Sequence, residues 1–218
     1  QSRLPAESLL YMYPVRALAV GAALVYFWKY YDELRVPQRP LTTYVWAIGI
    51  GLLAIVIWIA IDPFYPKLGQ LMTDFSLWLG RLFGFAEPPA TPPPPPFDPT
   101  TIASPVARST FIGFRILGAA VVVAYMEELF WRGFLIRWLI REDFKSVAVG
   151  AFTWSSFLIT VLFFGAEHEQ WLAGILCGIL YNLLYYRTRD IFACVLAHAV
   201  SNAALAAYVL ATGDWKFW

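Results

Sequence analysis

Five ionisable side chains lie in stretches of this chain that are otherwise strongly apolar. Glu127, Glu128 and Arg132 fall in one such stretch, His168 ends a second, and His198 lies within a third. Because a charged group in hydrocarbon costs several kcal/mol, ionisable residues in apolar membrane segments mark functional sites by default. Carboxylates and imidazoles are the groups that hold water and move its protons. These residues therefore predict acid–base chemistry within a membrane.

The two adjacent glutamates are predicted to differ in their surroundings. Helical spacing places Glu128 and Arg132 four residues apart on one face, where a carboxylate and a guanidinium pair. Glu127 is rotated by about 100° from that face. One arginine therefore pairs with one of the two carboxylates and leaves the other free to face a cavity. An unpaired carboxylate of this kind is a candidate general base.

The two histidines belong to two further motifs. His168 closes the segment Phe164–His168, and His198 stands four residues before Asn202, so that both face the same point. An imidazole and a carboxamide can donate hydrogen bonds to a developing oxyanion. A glutamate with a second imidazole can hold and deprotonate a water molecule. Together these groups predict a peptide hydrolase.

Composition places the chain among polytopic membrane proteins. Of its 218 residues, 60% are hydrophobic, 18% are aromatic and only 14% are charged. In typical soluble domains about 25% of the residues are charged. The net charge of +1 gives no indication of nucleic-acid binding. Cys177 and Cys194 lie in apolar segments without metal-binding spacing and are expected to be packing residues.

Hydropathy predicts an all-α transmembrane bundle with six spans. The third is too long for one straight span, so it must tilt or protrude. Counted at about 1.5 Å per residue from the predicted cytoplasmic ends, Glu127 lies about 20 Å deep, His168 about 30 Å and His198 about 10 Å. Tilted helices or shifted boundaries are needed to bring them together. The six spans are Tyr13–Tyr31, Tyr44–Phe64, Phe111–Ile140, Val147–Phe164, Trp171–Tyr186 and Ile191–Leu210.

The chain divides into four predicted parts: two N-terminal spans (1–64), an outward-facing interfacial and proline-rich loop (65–104), a four-span catalytic core (105–212) and a C-terminal tail (213–218). Within the loop, Phe75–Phe85 suits an interfacial helix and Pro88–Pro96 an extended polyproline stretch. Lysines and arginines cluster in the connections that follow the first, third and fifth spans. The positive-inside rule predicts that these connections are cytoplasmic. The sequence opens at Gln1 without an initiator Met, and we expect residues upstream of it.

The motifs EExxxR, FxxxH and HxxxN, in this order on successive apolar segments, resemble those of the CPBP family of intramembrane proteases. This family includes type II CAAX prenyl endopeptidases and bacteriocin-processing proteins. The resemblance covers roughly Phe111 to Leu210. The stretches EELFWRGFLIRW and WLAGILCGILYNLLYYRTRDIFACVLAHAVSN are similar to those of bacterial CAAX-protease-related proteins associated with exosortase systems.

The resemblance implies an integral membrane endopeptidase of the bacterial inner membrane that acts on a membrane-associated, for example lipid-modified, protein or peptide. It implies that Glu127 and His168 activate the attacking water and that His198 and Asn202 bind the oxyanion. It also implies a glutamate-type mechanism without bound metal. The supporting residues that it implies are Glu128, Arg132 and Phe164.

The residues themselves also favour a mechanism without metal. A catalytic zinc usually takes three protein ligands, asparagine is a poor ligand, and the sequence contains no HExxH. A zinc ion bound by Glu127, His168 and His198 is the less favoured alternative.

Two functional classes compete at this point. The expected partners of an enzyme are a membrane-anchored substrate and the lipid bilayer, without nucleic acid. The alternative is a non-proteolytic partner or assembly subunit of a larger membrane complex that retains the family fold. An unpaired Glu127 favours the enzyme, because a scaffold does not need one.

Four neighbouring residues receive structural interpretations. Glu167 and Glu169 are predicted to be solvated charges at the outer rim, Trp131 a packing residue and Asn182 an interhelical hydrogen-bonding residue. The spacing of Gly174 and Gly178 predicts close helix packing.

Overall fold

A computed structural model describes residues 6–35, 39–85 and 96–218, and within these ranges the chain forms helices and turns without any strand. The all-α prediction is thereby confirmed. Most of the predicted polyproline stretch lies outside the described residues. The α-helices are α1 (Ala6–Tyr26), α2 (Leu41–Ile61), α3 (Leu68–Phe83), α4 (Pro105–Leu117), α5 (Ala124–Glu128), α6 (Ile136–Ile140), α7 (Trp154–Ala166), α8 (Trp171–Thr188) and α9 (Ile191–Thr212).

Three helical regions of the described chain are long and apolar enough to cross a membrane. They are Leu41–Phe83, Pro105–Ile140 and Ile191–Thr212. Helix α7 is also apolar but has only 13 residues. The chain is therefore an integral membrane protein, whereas its six-span topology stays a prediction.

The third predicted span is one continuous helix, Pro105–Ile140, which contains two π-helical stretches. These are Gly118–Val123, between α4 and α5, and Leu129–Leu135, between α5 and α6. At about 1.5 Å per residue, 36 residues extend about 54 Å, well beyond a hydrocarbon core of about 30 Å. The glutamate pair lies in α5, between the two π-helical stretches, and such stretches are frequent at functional sites.

Glycines allow the central helices to approach closely. A Cβ atom on Gly51 of α2 would clash with the backbone carbonyl of Ala197 in α9. Where α7 crosses α8, a Cβ atom on Gly174 would lie 3.0 Å from the Cα atom of Gly165, and one on Gly178 would lie 3.3 Å from the Phe164 ring. The packing role predicted for Gly174 and Gly178 is confirmed.

Helix α7 begins later than hydropathy predicts. The predicted fourth span starts at Val147, but residues 147–153 are not helical and Gly150 has a φ of 82°. The helix begins at Trp154, where the Thr153 hydroxyl caps it by accepting a hydrogen bond from the Ser156 amide. An apolar segment was thus mistaken for the first turns of a helix.

The two surface elements also differ from their predicted bounds. The interfacial helix begins at Leu68, seven residues before the predicted Phe75, and ends at Phe83. In the C-terminal tail, Trp215–Phe217 forms a 3-10 turn. Lys216 Nζ lies 3.0 Å from Oδ2 of the buried Asp62, which follows α2, so the tail is fastened to that end of the bundle.

Candidate active site

Glu128 is the centre of a buried ionic network. Its Oε1 atom accepts hydrogen bonds from Arg132 Nη1 and from His198 Nδ1, each at 2.9 Å. The side chains of Glu128 and Arg132 are 0% and 1% exposed. The second oxygen of this carboxylate, Oε2, is buried without a hydrogen-bond partner among the described residues. The pairing predicted from helical spacing is confirmed, and it includes one histidine as a third member.

The other donors of Arg132 connect α8 to this network. Its Nε donates to Asn182 Oδ1 at 3.0 Å, and its Nη2 lies 3.4 Å from the carbonyl oxygen of Gly178. The amide of Asn182 in turn donates to Thr160 Oγ1 of α7 at 3.1 Å. Asn182 therefore makes the predicted interhelical hydrogen bonds. Since a buried ion pair is stable only when its remaining donors are satisfied, these contacts hold Arg132 in place.

The orientation of His198 is fixed from several sides. Because the carboxylate of Glu128 can only accept, Nδ1 of His198 is the donor and Nε2 is left for other partners. The imidazole stacks on the ring of Tyr181, with 5.3 Å between centroids, and the Tyr181 hydroxyl lies 2.6 Å from Ser201 Oγ. Ser201 donates to the backbone carbonyl of His198 at 2.8 Å.

Glu127 has no cationic partner of this kind. Its side chain is 15% exposed, and its Oε2 atom is buried without a hydrogen bond to any described residue. The nearest ring nitrogen of His198, Nε2, lies 3.9 Å away from that oxygen. One carboxylate oxygen of Glu127, one of Glu167 and one ring nitrogen of His168 all lie within 4.8 Å of one another. This group of three is called the acidic trio below.

His168 follows α7 and is held by that helix. Its Nδ1 lies 2.7 Å from the carbonyl oxygen of Phe164, and the ring packs against Trp58 and Phe164. With Nδ1 donating to the carbonyl, Nε2 carries the free lone pair. Burial lowers the pKa of His168, which favours the neutral imidazole that a base requires. Phe164 thus positions His168 through its backbone.

Glu167 has a more specific environment than the sequence predicts. Its side chain is partly exposed, as a rim charge would be, but its Oε1 atom accepts a hydrogen bond from Trp131 Nε1 at 3.1 Å. Burial, and then the negative charge of Glu127, raise the pKa of Glu167 to about 7. The signal in the sequence is that Trp131 lies four residues after Glu127 and so shares its face. The structure adds Glu167 to the candidate site. Glu169 is exposed, as predicted, and its carboxylate accepts a hydrogen bond from the Gly69 amide at 3.0 Å.

A cavity of about 480 Å³ adjoins these groups. His168, His198 and Asn202 line it, so the spacing of the last two does bring them to one surface. The amide of Asn202 donates to the carbonyl oxygen of Ala119, in the first π-helical stretch, at 2.8 Å. Glu127 is not among the lining residues, contrary to our expectation. It adjoins the cavity through His168 and His198.

The acidic trio is also the set of described residues that could hold a metal ion. It supplies two carboxylates and one imidazole, each of which is a metal-binding group. The zinc set that the sequence left as the less favoured alternative shares Glu127 and His168 with it. His198 lies outside this set; its Nδ1 is engaged by Glu128, and its Nε2 lies 3.9 Å from Glu127 Oε2.

Comparison with known proteins agrees with the motifs. Residues 109–204 match a family model described as Type II CAAX prenyl endopeptidase Rce1-like. The matched segment is a little under half of the chain and contains every residue of the ionic network and of the acidic trio. No curated protein and no solved structure matches the chain.

Proposed function

We propose that this chain hydrolyses a peptide bond in a membrane-associated protein or peptide. Its residues 109–204 match the family model of Rce1-like type II CAAX prenyl endopeptidases, which supports the proposal. The observation that carries the proposal is the contrast between two adjacent glutamates in α5. Glu128 is paired with Arg132 and His198, whereas Glu127 is unpaired and partly exposed. A largely buried carboxylate without a hydrogen-bonded cation is unfavourable as an anion. Such a group readily accepts a proton, as a general base must.

In the proposed reaction, a water molecule is held between Glu127 and Nε2 of His168. Glu127 removes one proton from the water, and the water oxygen attacks the carbonyl carbon of the scissile bond. The lone pair of His168 accepts the second hydrogen bond of the water and orients it. A general base placed in this way contributes about 10²- to 10⁴-fold to the rate.

The oxyanion that forms is bound by His198 and Asn202, which line the same cavity. Asn202 uses one amide hydrogen on the Ala119 carbonyl and keeps the second for the substrate. Nε2 of His198 donates to the oxyanion when the imidazole is protonated, and the carboxylates of Glu128, 2.9 Å from Nδ1, and of Glu127, 3.9 Å from Nε2, stabilise that form. Glu127 passes the proton that it took from the water to the leaving amine nitrogen as the C–N bond breaks. Glu128 and Arg132 keep the imidazole in this orientation. Preorganised donors act strongly because they need no reorganisation in the transition state.

The surroundings of the cavity suit a substrate that arrives from the bilayer. Phe164, Trp58 and Tyr181 are among the residues that line it, and the helices around it carry many exposed apolar side chains. An apolar or lipid-modified segment can approach such a site laterally. We place the protein in a bacterial inner membrane, with the lipid bilayer and a membrane-anchored substrate as its partners and without a required cofactor.

The test is cleavage of a panel of membrane-anchored peptides by the purified protein in detergent. Wild type is compared with Glu127→Ala and His198→Ala, each with and without a strong chelator, and Glu142→Ala on the exposed surface is the control. Cleavage that resists the chelator and disappears in both site variants supports the glutamate-type mechanism. Cleavage that the chelator abolishes would instead assign a metal ion to the acidic trio. If no peptide is cut while the folded protein copurifies with other subunits, the chain is an assembly partner rather than a protease.

A further inference from the structure

A second charged feature of the cavity has no role in the reaction proposed above. Arg115 of α4 lines the cavity, on the same continuous helix as the glutamate pair but twelve residues earlier. Its guanidinium lies over the ring of Tyr13, 4.6 Å from the centroid, and 5.8 Å from the centroid of the Trp218 ring. Two aromatic rings therefore hold the side chain toward the cavity.

No carboxylate within the described ranges pairs with Arg115. The other cation that lines the cavity, Lys216, is different, because it lies 3.0 Å from Asp62 and 3.4 Å from Asp214. Arg115 is thus a cation in an apolar helix, and no carboxylate of the described residues compensates its charge. Such a group is expensive in a membrane and usually faces a water-filled cavity or a ligand. An aromatic pair stabilises a guanidinium without removing its capacity to bind an anion.

We propose that Arg115, with Tyr13 and Trp218, forms a subsite that binds an anionic oxygen group, carboxylate or phosphate, of the molecule in the cavity. This inference rests on the proposed function for what that molecule is. A planar guanidinium binds either anion through two parallel hydrogen bonds. The C-terminal tail contributes one wall of the subsite through Trp218 and is held there by the contact of Lys216 with Asp62.

The position of the subsite relative to the oxyanion donors sets its reach. Arg115 lies one helical turn, about 6 Å, before Ala119, whose carbonyl oxygen binds the Asn202 amide. An extended peptide spans about 3.3–3.6 Å per residue. Arg115, His198 and Asn202 line one cavity, so a short extended peptide can contact the subsite and the oxyanion donors at the same time.

Two sources of the anion are distinguished by binding measurements that do not require cleavage. The probes are a fluorescent membrane-anchored peptide with a free C-terminal carboxylate and the same peptide as its amide, measured in nanodiscs of phosphatidylcholine or phosphatidylglycerol. The proteins are wild type, Arg115→Gln and the control Arg108→Gln. Arg108 lies on the same helix outside the cavity, and its side chain donates only to the Ile102 carbonyl among the described residues.

If a peptide carboxylate occupies the subsite, wild type and Arg108→Gln bind the acid about tenfold more tightly than the amide, and Arg115→Gln binds both equally. If a lipid phosphate occupies it, acid and amide bind alike, but phosphatidylglycerol changes peptide affinity in wild type and Arg108→Gln and not in Arg115→Gln. Either result supports the subsite. Equal behaviour of Arg115→Gln and wild type in all four combinations overturns it. These experiments measure affinity and not cleavage. If the protein binds the peptide in this way but cleaves nothing, the proposed function is refuted and the subsite is not.

Discussion

The two carboxylates of α5 are adjacent in the chain and lie in opposite environments. Glu128 is fully buried, bound to a guanidinium and an imidazole, and connected through Arg132 to α7 and α8. Glu127 has no such cation and lies in the acidic trio with a second carboxylate and a neutral imidazole. Burying the charge of Glu128 costs desolvation energy, which ion pairing and hydrogen bonds offset. The network therefore fixes the positions of Arg132 and His198. The acidic trio leaves a carboxylate available for a proton. Adjacent positions on a helix thus separate a paired acid from an acid without a hydrogen-bonded cation by a rotation of about 100°.

The largest expected effect comes from replacing each glutamate by glutamine in turn. Glu127→Gln removes the proposed base and should lower the cleavage rate by about 10²- to 10⁴-fold, while thermal unfolding stays close to that of wild type. Glu128→Gln should lower both rate and stability, because it leaves the charge of Arg132 unpaired in the interior.

Cleavage assays and thermal unfolding of the purified variants in one detergent provide the comparison. The neutral surface variant Glu142→Gln controls for the loss of a carboxylate as such. Equal loss of stability in the two site variants would contradict the division between a structural and a reactive acid.

The second prediction concerns Arg132. Arg132→Gln should destabilise the fold by about 3–5 kcal/mol, because the buried charge of Glu128 then keeps only the His198 imidazole as a partner. The double variant Glu128→Gln/Arg132→Gln, which buries no charge at this position, should recover part of that loss. The stability of the variants is measured by thermal unfolding and by the fraction of monodisperse protein in size-exclusion chromatography. A double variant as unstable as the sum of the single ones would show that the two residues do not act as a pair.

The third prediction compares two asparagines. Asn182→Ala removes partners of Arg132 and Thr160 and should cost about 1–3 kcal/mol of stability. Asn202→Ala removes a proposed oxyanion donor at the cavity surface, and should lower the rate by about 10²- to 10³-fold with a smaller loss of stability.

For the asparagine pair, the readouts are unfolding and single-turnover cleavage on the same preparations. Asn202→Ala at wild-type rate would remove this residue from the proposed oxyanion site.

Sequence reasoning predicted contacts within one helix better than it predicted where the helices begin. Helical spacing was sufficient for the pairing of Glu128 with Arg132 and for the common surface of His198 and Asn202, since both depend only on contacts within one helix. Hydropathy could not find the start of α7 at Trp154, because residues 147–153 are nearly as apolar as the helix and the capping contact of Thr153 depends on backbone conformation.

Sequence reasoning predicted that Asn182 forms interhelical hydrogen bonds, but it could not predict which side chains meet across helices. Counting residues along straight spans put His168 and His198 at very different depths, whereas in the structure both line the same cavity. The π-helical stretches on either side of α5 alter the direction of side chains on the long helix, and no spacing rule predicts them. The hydrogen bond from Trp131 to Glu167 joins residues 36 positions apart, so Glu167 was mistaken for an ordinary solvated charge.

The smallest expected effect belongs to Glu167, and it extends the comparison of carboxylates to a third member. Its pKa is raised from 4.5 to about 7, first by burial and then by Glu127, so the folded state keeps a proton that the unfolded state loses above pH 4.5. The stabilisation that this proton provides is complete below pH 4.5 and is lost as pH rises through about 7. Wild type should therefore lose thermal stability relative to Glu167→Gln between about pH 5 and pH 8. Glu169→Gln, which removes an exposed carboxylate two residues away, should keep the pH dependence of wild type. Parallel unfolding midpoints of wild type and Glu167→Gln across this pH range would mean that the carboxylate is solvated like an ordinary rim charge, and that the acidic trio holds no shared proton.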